Sequence, residues 1–116
     1  MSFDSYEDLA KAVDSHSHVL SCSMQELRDV HGAGRLGKHV AANISSELER
    51  RGLGHVPTEL PVAQWDRVRI FRRGTGVARV IDAVHMCDED NDEVLRQIGG
   101  GDASETLKKI RELVCD

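Results

Sequence analysis

The sequence predicts a mainly α-helical fold class: several short amphipathic helices flank a short β-hairpin or wing built on one extended, basic segment. Three observations carry the helical part and the β part. Aliphatic residues recur at helical spacing, Ser and Thr stand where helices need caps, and a single Arg-rich segment alternates with strand periodicity. Aromatic residues make up only 3% of the chain, which argues against a large all-β core. A length of 116 residues suits a single domain with one modest core.

In chain order, a first helix is expected over 5–21, opened by the capping-box-like Ser5-Tyr6-Glu7-Asp8 and carrying Leu9, Val13 and Leu20. A short second helix should follow Ser23-Met24-Gln25-Glu26, where Ser is the N-cap and Glu the N3 residue. Leu27 and Val30 supply its apolar side and Gly32 its stop. After the turn Gly32-Ala33-Gly34 comes the strongest periodicity of the chain. Leu36, Val40, Ile44 and Leu48 are spaced by four, with Ala41 beside them, and predict a helix over 35–51 that ends at Gly52. The opposite side of that helix is small, polar and basic: Arg35, Lys38, His39, Ala42, Asn43 and Ser46.

Pro57 and Pro61 make the next stretch a loop, with a short extended piece at 54–56. Over 65–73, Val68 and Ile70 point one way while Arg67, Arg69 and Arg73 point the other, and Gly74-Thr75-Gly76 ends the strand. Val77, Val80, Ile81 and Val84 then follow helical spacing with Thr75 as cap, and a helix is expected there; a second hairpin strand is the alternative for the same residues. Two more helices, 89–98 and 104–115, flank the triple glycine 99–101. The last carries Leu107, Ile110 and Val114 on one side, a stripe expected to hold a homodimer.

The net charge of -5 conceals a polarised chain. Residues 1–27 hold one Lys against five acids, 28–79 hold ten Lys and Arg against five acids, and 80–116 hold four against ten. The middle is a basic island between acidic flanks. No run reaches the roughly 18 apolar residues of a membrane span. The start MSFDSYEDLAKAVD has no basic or apolar leader region, so a cytoplasmic protein with no membrane partner is expected. Cys22, Cys87 and Cys115 are odd in number and widely spaced, as reduced thiols would be.

Catalytic and metal motifs are thin. Gly32-Ala33-Gly34-Arg35-Leu36-Gly37-Lys38 satisfies the phosphate-loop pattern, but His39 stands where a Mg²⁺-binding hydroxyl is needed, and the segment ahead of it is charged and amphipathic instead of a buried strand. His18 with Cys22, and His85 with Cys87, could in principle close a tetrahedral Zn²⁺ site, yet neither pair has zinc-ribbon spacing. No G-x-S-x-G elbow and no H-E-x-x-H is present, so neither an enzyme nor a cofactor is expected.

A short helix, a glycine turn, a longer helix with a small polar face and an extended Arg-rich segment together resemble a bacterial winged helix-turn-helix module over about residues 23–85. The resemblance implies transcription regulation through double-stranded DNA, with helix 35–51 in the major groove and the wing on phosphate or the minor groove. Carried onto this chain, Arg35, Lys38, His39, Asn43 and Ser46 would face the groove. Arg67, Arg69, Arg72 and Arg73 would lie on or near the wing. The competing expectation is a protein-protein interaction adaptor that docks an acidic protein partner on the same basic surface.

Overall fold

The computed structural model describes residues 3–100, so the expected helix 104–115 and its stripe of Leu107, Ile110 and Val114 lie outside the described residues. The described chain is mainly helical with one three-stranded antiparallel sheet. It divides into two units, the first ending at Arg73 and the second beginning at Gly74. The span 23–85 read from the sequence crosses that division.

In the first unit the order is α1 (Tyr6–Ser15), β1 (Val19–Ser23), α2 (Met24–His31), α3 (Lys38–Arg50), β2 (Leu53–Val56) and β3 (Arg67–Arg72). The Ser5 hydroxyl caps α1 by accepting the Asp8 N–H at 3.1 Å, and the helix buries Tyr6, Leu9 and Val13. The helix expected over 5–21 stops at Ser15. Ser17 and His18 both take left-handed backbone conformations, with φ of 59° and 73°, which no α-helix tolerates. The chain then reverses into β1, where Leu20 and Cys22 are buried and Ser21 is exposed. Leu20 is therefore a strand residue with period two, and what holds it there is pairing with a segment some fifty residues away (Leu20↔Ile70, Cys22↔Val68).

β1 runs directly into α2 through Ser23, which makes the full capping box: its hydroxyl accepts the Glu26 N–H, and the Glu26 carboxylate accepts the Ser23 N–H. Gly32 ends α2 at φ 78°, a left-handed position that glycine takes without a Cβ penalty. The connection to α3 is longer than the three-residue glycine turn read from the sequence. Gly37 is the N-cap, so Arg35 and Leu36 belong to the turn, from which Leu36 still packs against the core. Ala41, Ile44 and Leu48 form the buried side of α3, as their spacing predicts.

β3 lies between β1 and β2 and is antiparallel to both. In place of the expected short β-hairpin or wing there is a three-stranded sheet, with β1 as the strand that the sequence did not announce. Val68 and Ile70 of β3, Leu20 and Cys22 of β1, and Leu53 of β2 share the face that clusters with Leu9, Val13, Met24, Leu27, Ile44 and Leu48 from the helices. On the other face, Phe71 stands opposite Gly54, and a Cβ built on Gly54 would lie 2.4 Å from its Cζ. Glycine is required at position 54 because the ring occupies the space of a side chain.

The second unit consists, over its described residues, of α4 (Gly76–His85) and α5 (Glu89–Gly99). Thr75 caps α4 through the Ala78 N–H at 3.3 Å, so 77–84 is a helix and not a hairpin strand. Asp88 caps α5 through the Asn91 N–H at 2.8 Å. Its carboxyl is held below the usual range by that backbone N–H and the Asn91 side chain.

Gly54→Ala is expected to destabilise the protein by about 1 to 3 kcal/mol through overpacking against Phe71. Gly34→Ala, where nothing lies within 4 Å of the added Cβ and φ is not left-handed, should change stability far less. Urea denaturation of the two variants checks the contrast.

Candidate nucleic-acid interface

The long polar side of α3 faces outward from the core. Lys38, His39, Ala42, Asn43 and Ser46 are all exposed, and Arg35 is exposed in the turn that leads into the helix. With Ala41, Ile44 and Leu48 in the core, the geometry of 3.6 residues per turn forces these others to solvent. No ion pair among the described residues engages Arg35, Lys38, Arg67 or Arg69.

Contacts at its C-terminal end and midway along it hold α3 in place. At its C-terminal end, Arg51 sits 4.6 Å above the Tyr6 ring and pairs with Glu47, while the Tyr6 hydroxyl lies 2.8 Å from His31 Nδ1. Burial, reinforced by the negative charge of Glu47, pushes the Tyr6 phenol up to about 12, so it stays a neutral hydrogen-bonding group. Midway along the helix, Ser45 Oγ lies 2.7 Å from His55 Nε2, and His55 Nδ1 donates to the Pro57 carbonyl at 2.7 Å. This Ser45–His55–Pro57 chain clips the root of the β2–β3 loop to α3. No local pattern announces it, because His55 is a lone histidine on a short strand.

The four arginines assigned to the wing meet different surroundings. Arg67 and Arg69 are exposed on the sheet face away from the helices, where Arg69 is paired in register with Ser21 and Val56. Arg72 has the parity of Val68 and Ile70 and turns toward the helical side. Its Nε and one terminal nitrogen reach the two Asp14 oxygens at 3.0 Å each, and the other terminal nitrogen donates to the Arg51 carbonyl at 2.8 Å. The Arg72 hydrogen bonds hold the Asp14 carboxyl below its usual range, with a smaller effect from His18. Arg73 donates from Nε to the Leu53 carbonyl at 3.4 Å. Arg72 is thereby committed to bracing β3 against α1, whereas Arg73 stays exposed, and its 3.4 Å contact is matched by one from Arg67 to the Ser21 carbonyl.

The segment between β2 and β3, residues 57–66, is where a wing would be, and it contains no Lys or Arg. Leu60 anchors it in the core. A groove of about 430 Å³ separates residues 58–62 from Lys38, Ala41, Ala42 and Ser45 of α3. Sequence reasoning missed this groove, and it missed that Trp65, read as the start of the strand, is 75% exposed in the loop.

The other chemistry weighed from the sequence has no frame. The segment ahead of Gly32–Lys38 is helix α2, not the buried strand that a phosphate loop requires. His18 and Cys22 do not share a helix: His18 faces Asp14 at 3.3 Å, and Cys22 is buried on β1. Among the described residues no three His, Cys, Asp or Glu side chains gather as metal ligands. No helix of the described residues is long and apolar enough to cross a membrane. Comparison with protein-family models, with curated proteins and with solved structures finds no match to this chain.

Two outcomes follow from these contacts. Arg72→Ala should lower stability by about 1 kcal/mol, from lost hydrogen bonds and a partly exposed ion pair, whereas Arg69→Ala should stay within about 0.5 kcal/mol of the parent. Because the folded-state pKa of Asp14 is depressed, its contribution is present above the ordinary carboxylate pKa and is lost as pH falls through the lowered value. The stability gap between the parent and Arg72→Ala should therefore narrow on acidification, as thermal melts at neutral and acid pH would reveal. Separately, burial pushes the Cys22 thiol up to about 12, so alkylation of the native protein should modify Cys87, which is exposed, well before Cys22. Peptide mass mapping reads that order directly.

Proposed function

We propose that this chain is a non-enzymatic, winged helix-turn-helix-like DNA-binding domain that works as a small transcriptional regulator. The observation that carries the reading is the outward side of α3: Lys38, His39, Ala42, Asn43 and Ser46 exposed together on a helix whose other side is fixed in the core. At 1.5 Å per residue the helix is about 20 Å long, and a single α-helix fits the major groove, about 12 Å wide. Ala42 allows close approach, Asn43 can pair bidentately with adenine, and Lys38 and Arg35 can donate to guanine or to phosphate.

The element order supports the same reading. A helix and strand precede the two helices α2 and α3, two antiparallel strands follow them, and the last strand lies in the middle of the sheet. Arg67 and Arg69 on β3 offer phosphate contacts. With Arg72 held by Asp14 and the Arg51 carbonyl, the phosphate-binding set is drawn from Arg35, Lys38, Arg67, Arg69 and the exposed Arg73.

If about four of these touch phosphates, the logarithm of the binding constant should fall against the logarithm of salt concentration with a slope near -3.6 per protomer, at about 0.9 per contact. Arg69→Ala should flatten the slope by about one and weaken all sequences alike. Asn43→Ala should cost about 1 to 3 kcal/mol at a preferred site only, and Arg72→Ala should leave the slope unchanged. Fluorescence anisotropy with a labelled duplex over a salt series starting at about 50 mM measures all three. Flat anisotropy, together with an acidic protein partner whose binding Arg69→Ala abolishes, would replace this reading with the adaptor.

A further inference from the structure

Ser45 and His55 form a pair that the DNA-binding reading does not use. Ser45 stands half-buried in the middle of α3, where a serine often turns its hydroxyl back to the carbonyl one turn earlier. Its Oγ instead lies 2.7 Å from His55 Nε2. His55 is paired in register with Ile70 and has the parity of the buried Leu53, so its ring is carried on the side of the sheet that faces the core. The other ring nitrogen, Nδ1, is 2.7 Å from the Pro57 carbonyl.

This chain of hydrogen bonds has a direction. A carbonyl oxygen only accepts, so Nδ1 carries the proton. In the neutral imidazole Nε2 then has a lone pair to offer, and the Ser45 hydroxyl donates to it. A hydroxyl, a base placed to take its proton and an acceptor that fixes the tautomer of the base are the three parts of an activated serine. The hydroxyl is also within reach of a reagent, because Ser45 lines the groove of about 430 Å³ between α3 and the β2–β3 loop. Ala41, Ala42, Leu60 and Val62 line it too, beside Lys38 and Glu59, which leaves room for a short apolar acyl chain. Amides in the middle of an α-helix are already bonded to carbonyls one turn back, so α3 offers no pair of N–H groups to an oxyanion formed at Ser45. Such a site suits a single acceptance of an acyl group and not repeated turnover.

We infer that Ser45 is an acylation site, with His55 as its general base and an activated carboxylic ester as the acyl donor. In the step, Ser45 Oγ bonds to the acyl carbon while its proton passes to His55 Nε2. The bond from that carbon to the leaving oxygen breaks with its electron pair, and His55 returns the proton to that oxygen. Nothing is oxidised or reduced. The inference stands apart from the DNA-binding reading and holds or fails whether or not a duplex binds.

The probe is p-nitrophenyl acetate, applied to the protein after its accessible thiols have been alkylated, and tandem mass spectrometry locates the acetyl groups. Acetyl should build up on Ser45 and not on Ser46, the next residue, which is more exposed but has no hydrogen-bonded imidazole among the described residues. The acetyl group should remain once excess ester is removed. His55→Gln, whose amide can still hydrogen-bond to both neighbours but cannot take the proton, should slow acetylation of Ser45 on the order of 100-fold, the scale of general-base assistance. Thermal melts show that this variant is folded. The comparison of Ser45 with Ser46 is made on the parent protein and needs no variant. If Ser46 is acetylated as fast as Ser45, if folded His55→Gln keeps the parent rate, or if ester hydrolysis that Ser45→Ala abolishes runs on past one equivalent, the inference fails.

Discussion

The first unit depends on β3 occupying the middle of the sheet. Its pairing with β1 captures Val19–Ser23 as strand, and its pairing with β2 captures Leu53–Val56. Val68 and Ile70 on its inner face complete a core to which every helix of the unit contributes. Without that pairing, nothing in the 17–23 segment would oppose continuation of α1. The backbone of Ser17 and His18, which is unfavourable for residues with a Cβ, persists only because the surrounding contacts over-determine it.

That central position also sorts the arginines. Strand parity sends Arg67 and Arg69 outward and Arg72 inward, so residues that look alike in the sequence acquire different work. Arg72 becomes a brace between β3, Asp14 and the end of α3. Arg67 and Arg69 remain available to an anion. The positive surface is thus smaller than the number of basic residues suggests.

The β2–β3 loop links core, helix and surface. Leu60 enters the core, the Gln64 and Asp66 carbonyls cap α2, and the Ser45–His55–Pro57 chain ties the root of the loop to α3. A loop anchored this way does not swing free as a basic arm would. It presents Val62 and Trp65 on a fixed frame, and its charged residues, Glu59 and Asp66, are both acidic.

Local chemistry was enough to determine α2, with its Ser23 capping box and Gly32 stop, and the buried stripe of α3. It was also enough for the alternation of β3 and for the Thr75 cap of α4. Each of these is written within one or two helical turns or a few strand residues, the range over which caps and periodicity act. Most of the residues assigned to the outer side of α3 followed from the same periodicity. What local chemistry could not decide was where α1 ends, whether Val19–Ser23 is a strand, how far the turn before α3 extends, and which arginines face solvent. Those outcomes turn on β1–β3 register, on the packing of Leu36 from the turn and on an Asp14–Arg72 contact spanning most of the unit. Such interactions form only between segments far apart in the chain. Their energies come from hydrogen bonds and buried surface that exist once the tertiary structure has brought those segments together.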